Sequence, residues 1–123
     1  MEITWLKKIP DNGIATLDNY SIVLNMYAGS KIIDYYKLKI GVDEKHNIII
    51  YPISRNEVED KLLDETSLFS YVTSKSFVNI SSKVIMNNLE NITGIDLSTK
   101  RKFKTDYNSD KKYLTIFLDK EVK

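Results

Sequence analysis

Lys37-Leu38-Lys39-Ile40-Gly41-Val42-Asp43-Glu44-Lys45-His46-Asn47-Ile48-Ile49-Ile50-Tyr51 is the stretch on which the fold turns. Its first six residues alternate, with Leu38, Ile40 and Val42 on one side and Lys37 and Lys39 on the other, the period of a strand with one buried face. Asp43 to Asn47 is a polar turn. Ile48 to Tyr51 is apolar at every position, a strand covered on both faces that Pro52 is expected to end. The same order returns later. Phe103, Thr105 and Tyr107 alternate with Lys102 and Lys104, Asn108 to Asp110 turns the chain, and Tyr113 to Leu118 is apolar on both faces.

Working outward, each hairpin has a strand and a capped helix before it. Ile22 and Leu24 precede Asn25, and Val78 and Ile80 precede Ser81, an offset of 56 (22 to 78). Leu38, Ile40 and Val42 correspond to Phe103, Thr105 and Tyr107 at an offset of 65 (38 to 103). Ile48 to Tyr51 corresponds to Leu114 to Phe117 at an offset of 66 (48 to 114). The offset grows only in linkers, as a diverged duplication requires. One unit of about 45 residues is too small to bury a core alone. The expected architecture is therefore α+β. Residues 1–123 form one unit, with two β-rich strand-helix-hairpin repeats, 1–53 and 68–119, closing a pseudo-dimeric small barrel or sheet core. A short helical linker over 54–67 joins them.

The remaining elements follow from local signals. Asn12-Gly13 predicts a turn between strands Trp5 to Ile9 and Gly13 to Leu17, with Trp5 as a core anchor. Tyr20 to Leu24 reads as a strand. Asn25 caps a helix over Met26 to Tyr36, with Met26, Ile33 and Tyr36 on its inner side. Ser54 and Glu57 fit a capping box that opens a helix over Asn56 to Leu63. Leu68 to Val72 and Phe77 to Ile80 read as strands. Ser81 caps a second helix with Val84, Ile85, Leu89 and Ile92 as its apolar stripe, and Gly94 closes it.

The element order resembles the swapped-hairpin fold of the AbrB and MraZ transcription-factor families. Val72 to Lys83 matches the family's strand, turn, strand and cap, Thr93-Gly94-Ile95 its helix end, and Asp96 to Lys104 its loop into a charged strand. Asn25 and Ser81 replace the proline usual before the family's helix, and neither half carries the Asp-x-x-x-Arg signature of MraZ-type proteins. The resemblance implies a small bacterial regulator that binds double-stranded DNA, with the tandem chain supplying both halves of what is elsewhere a dimer.

Composition limits the chemistry. The 123 residues carry 18 Lys+Arg, 17 Asp+Glu, one His and no Cys. Disulfides, thiolate metal sites and cysteine nucleophiles are excluded. A net charge of +1 provides no overall field toward nucleic acid or membrane. The excess of Lys, Asn, Ile and Tyr reads as AT-rich codon usage, bacterial or phage. The first residues lack a basic stretch followed by an apolar run, and no run approaches a membrane span, so the expectation is a cytoplasmic protein without a membrane partner.

No motif points to catalysis, a metal or a cofactor. There is no Gly-x-Ser-x-Gly, dinucleotide or Walker sequence, and the lone His46 lies in a hairpin turn. The sharpest feature is basic: Lys100, Arg101, Lys102, Lys104, Lys111 and Lys112 place six positive charges in 13 residues. The candidate nucleic-acid-binding set is Lys37, Lys39, Lys100, Arg101, Lys102, Lys104 and Lys112. Lys102 and Lys104 share a face, Lys37 and Lys39 are their first-repeat counterparts, and Lys112 is expected nearby. Phosphate contacts of this kind give affinity without reading sequence. Lys on edge strands also deters aggregation. The alternative function is therefore an interaction or self-association module, of the kind mobile elements carry, working as a homo-oligomer without nucleic acid.

Overall fold

Strand formation follows the alternation, and the pairing settles which faces turn inward. The computed structural model describes residues 2–6, 12–61 and 63–122. Eight strands are described: β1 Ile14–Leu17, β2 Ser21–Asn25, β3 Lys37–Val42, β4 Ile48–Ile53, β5 Val72–Thr73, β6 Phe77–Ser81, β7 Arg101–Asn108 and β8 Tyr113–Val122. Helices α1 Met26–Gly29, α2 Arg55–Lys61 and α3 Lys83–Thr93 lie between them. All strands join one antiparallel sheet in the order β3-β4-β8-β7-β1-β2-β6-β5. The sheet curls until one segment touches both edges, because Phe69 bridges Leu38 of β3 while Val72 and Thr73 pair with β6. Leu17, Ile22, Leu24, Leu38, Ile48, Ile50, Ile80 and Phe103 meet inside with essentially no exposure. Ile85, Met86 and Leu89 of α3 belong to the same core.

The ladders of the two halves carry the same offsets as the sequence. Thr16 pairs with Val23 and Leu17 with Ile22; 56 residues on, Val72 pairs with Asn79 and Thr73 with Val78. Ile40 pairs with Ile50 and Val42 with Ile48; Thr105 pairs with Ile116 and Tyr107 with Leu114. The turns correspond as well. Asp18 Oδ1 accepts the N–H groups of Tyr20 and Ser21, and Ser74 Oγ accepts those of Ser76 and Phe77. In the hairpin turns His46 and Lys112 both adopt positive φ, 64° and 60°.

Asp18 makes its turn pH-sensitive. Burial pushes its pKa up, but the bonds from Tyr20 and Ser21 outweigh this, Lys100 adds attraction, and the carboxyl is held below its ordinary value. A depressed carboxyl stabilises the fold above its unfolded pKa of about 3.9, and that stability fades as pH falls through the lower folded value. Asp18→Asn is expected to lower the urea midpoint near neutral pH and to flatten its decline in acid. An acid limb as steep as the wild type's would show that Asp18 does not contribute to it.

The structure corrects several expectations. The segment 2–6 has no regular secondary structure and Trp5 is 79% exposed, so it is not a core anchor. The rest of the expected first strand and its turn, residues 7–11, lies outside the described residues. The first helix stops at Gly29 instead of Tyr36. Gly29, Ser30 and the β-branched Ile32 and Ile33 are weak helix formers, and burial of Ile32 with the Tyr36 N–H bond to the Ile53 carbonyl draws the chain into the sheet. Ile33 is correspondingly exposed. Pro52 does not end its strand: Leu38 exchanges both backbone bonds with Phe69, so its partner Pro52 owes no N–H on that side. On the other side, the β4–β8 ladder has already finished at Ile50.

Ser82, not Ser81, caps α3, because Ser81 is the last rung against Ser21. Val84 and Ile92 are exposed and Met86 is buried in their place. The expected strand over Leu68 to Val72 reduces to the Phe69 bridge and β5. β8 runs on to Val122, beyond Leu118, because a register shift between Phe103 and Thr105 lets Glu121 and Val122 pair with Phe103 and Lys102. The linker over 54–67 holds α2, opened by the reciprocal Ser54–Glu57 bonds.

α1 packs tightly enough to be tested. A Cβ at Gly29 would lie 2.6 Å from Val78 Cγ2, and Val78 is fully buried. Gly29→Ala is expected to cost about 1–3 kcal/mol by overpacking. Adding Val78→Ala should recover part of that loss in a double-mutant cycle read by thermal melts. Additive losses would show that the two side chains do not meet.

Candidate nucleic-acid interface

Pleating places the lysines. Lys39 is opposite Tyr51, and the next outward row runs Gly41, Ile49, Thr115, Asp106 across β3, β4, β8 and β7. One step beyond the Ile50–Leu114 pair, Tyr51 comes level with Tyr113, whose own partner is Asn108. The outer face of these four strands thus carries Lys37 and Lys39 at one corner and Lys102 and Lys104 at the corner diagonally opposite. Between them lie Ile49, Tyr51, Tyr113, Thr115 and Phe117, all half-buried. Three strand spacings, about 14 Å, separate β3 from β7. The four lysines share a face, but an aromatic and aliphatic strip divides them into two pairs.

Their engagements differ. Lys39, Lys102 and Lys104 are without an ion pair among the described residues, and all three are exposed. Lys37 Nζ donates to Ser70 Oγ at 2.6 Å and lies 5.4 Å from the centre of the Tyr36 ring. Lys102 and Lys104 are also paired with Thr16 and Ile14 of β1, so the face continues past β7.

The other expected residues are held elsewhere. Arg101 points to the opposite side of β7. Its Nε and Nη2 donate to the two Glu121 carboxylate oxygens at 2.9 Å each, and Nη1 donates to the Asp96 carbonyl at 3.1 Å. The Glu121 bonds raise its pKa further, so this guanidinium is already committed. Lys100 precedes β7 beside the Asp18 carboxylate. Lys112 is in the β7–β8 turn, next to the end where Asn108 pairs with Tyr113, whereas Lys102 pairs with Val122 at the far end. It is therefore not beside Lys102 and Lys104; the hairpin is too long.

Lys120, which the sequence pattern does not single out, holds its Nζ 4.5 Å from the centre of the Phe117 ring. It belongs to the extension of β8 that sequence alone ends at Leu118.

The exposed His46 lines an open recess of about 550 Å³ with Lys45, Asp96, Arg101 and Asp119. No side-chain hydrogen bond orients its ring among the described residues. Among those residues, no group of three His, Cys, Asp or Glu side chains is placed to hold a metal ion, and no helix is long and apolar enough to cross a membrane. No protein-family model matches this chain, and neither a curated protein nor a solved structure matches it.

Proposed function

We propose that this chain is a small DNA-binding protein of the regulator kind, acting without a cofactor and holding backbone phosphates through Lys37/Lys39 and Lys102/Lys104. One observation carries the reading. The two pairs occupy equivalent positions in the two halves, at an offset of 65 (37 to 102, 39 to 104), on one outer face. Across the strands the pairs are about 14 Å apart, and along them about 20 Å, so they meet separate stretches of backbone and not the two walls of one groove. The matched ladders support the finer reading that the halves are duplicated repeats paired within one chain, like two units of a swapped-hairpin regulator.

The test is anisotropy of labelled mixed-sequence duplex DNA between roughly 50 and 200 mM salt. Four phosphate contacts predict a slope of log K against log salt of about −3 to −4. No binding of this duplex or of its separated strands at micromolar protein would overturn the reading. A self-association module is the second reading, favoured by the exposure of Trp5 (79%) and Leu6 (96%). It predicts a defined oligomer by light scattering that Trp5→Ser disperses.

A further inference from the structure

Lysine corners alone are sequence-blind and, at a net charge of +1, weak. The strip between them offers a different kind of contact. Tyr51 is directly opposite Lys39, and Phe117 carries Lys120 on its ring at 4.5 Å. Tyr51 and Phe117 are themselves equivalent in the two halves, at an offset of 66 (51 to 117). Each half therefore presents a half-buried ring with a lysine as neighbour, across the strands for Tyr51 and over the ring for Phe117, on adjacent central strands of a four-stranded antiparallel face.

A stacked duplex cannot use these rings. Its base faces are covered by their neighbours, and its base edges lie in grooves that a helix, ribbon or loop must enter. Among the described residues, the outer face of four paired strands presents no such element. A single strand, in contrast, can lay its bases on aromatic rings while its phosphates run along lysines, and this suits a four-stranded sheet. Beside the rings there is also an open recess of about 260 Å³ lined by Tyr113, Thr115 and Phe117 and by Asp43, Glu44 and Asp106, with Lys45 among them. Carboxylates there repel phosphates but accept hydrogen bonds from the exocyclic amines of cytosine or adenine. The arrangement separates a phosphate track at the lysines from a base site at the acids.

We infer that the outer face of β3-β4-β8-β7 binds single-stranded nucleic acid by stacking bases on Tyr51, Tyr113 and Phe117. This rests on the reading of the lysine pairs as phosphate contacts and names the class of nucleic acid they serve. The experiment compares a labelled mixed-sequence single strand with its own duplex by anisotropy, using the full chain, Tyr51→Ala and Phe117→Leu. Photocrosslinking of the bound strand, mapped by mass spectrometry, gives a readout that needs no variant to fold.

The expected result is single-strand affinity at least tenfold above that of the duplex. Each ring removed should weaken the single strand on the order of tenfold and leave the duplex little changed. Crosslinks should fall on Tyr51, Tyr113 or Phe117. Duplex bound as tightly as the single strand, or crosslinks confined to other surfaces, would overturn the inference while leaving the lysine reading intact. Absence of binding by either form at micromolar protein would overturn both.

Discussion

Phe103→Ala is expected to lower stability by about 3–5 kcal/mol, the range for removing a buried aromatic ring. Phe103 heads the fully buried side chains by volume, with 0% exposure. It is held on both sides, paired with Ala15 of β1 and Glu121 of β8. The sheet register shifts between Phe103 and Thr105, so the ring fills the core where the ladder is least regular. The backbone around it is fixed by two neighbouring strands, and that limits how far the cavity can collapse. A domain of this size has about 5–15 kcal/mol in total, so the variant should melt roughly 10–20 °C lower. Trp5→Ala is the matched control, another large aromatic but one exposed at 79%. It should stay within about 0.5 kcal/mol of the wild type. Urea midpoints with unchanged m-values would decide it. Equal losses for both variants would mean that residues 2–6 pack in solution.

What was legible in the sequence was strongly periodic. The β3–β4 hairpin, β2, β6, the Ser54–Glu57 box and the Gly94 helix end (φ 76°) all follow from alternation or from local capping chemistry. What was not legible depends on partners distant in the chain. Tyr36 leaves the helical pattern because Ile53 offers its carbonyl. Pro52 stays in its strand because Phe69, 31 positions beyond Leu38, takes that residue's backbone bonds. β8 continues through Asp119, Lys120 and Glu121, polar residues with no strand signal, because Phe103 and Lys102 lie alongside.

The site divides in the same way. Alternation correctly set Lys102 and Lys104 on one face of their strand. Withdrawal of Arg101 could not be read, because Glu121 belongs to the unanticipated extension of β8. The aromatic strip between the two lysine pairs required the order β3-β4-β8-β7, which no single-strand pattern contains.

Reversing all four lysines, Lys37→Glu, Lys39→Glu, Lys102→Glu and Lys104→Glu, is expected to abolish nucleic-acid binding at micromolar protein. Nonspecific affinity is largely counterion release, and each lost phosphate contact removes about 0.9 from the salt slope on duplex or about 0.7 on a single strand. Reversal of either pair alone should weaken binding more than about tenfold and reduce the slope by about 1.5–2. Because the pairs are at opposite corners, the two losses should add. The quartet takes the net charge from +1 to −7, so placement must be separated from total charge. Reversing Lys31, Lys61, Lys75 and Lys83 gives the same −7 from exposed positions off the lysine-bearing face, after α1, in α2, between β5 and β6 and at the start of α3. That control should retain most of the slope, since exposed charges beyond about 10 Å are screened at 0.1 M salt. Stability should change little in either set, because seven of the eight lysines are exposed and Lys37 alone is half-buried, bonded to Ser70. If both sets lose binding equally, the two corners have no special role and only the protein's overall charge matters.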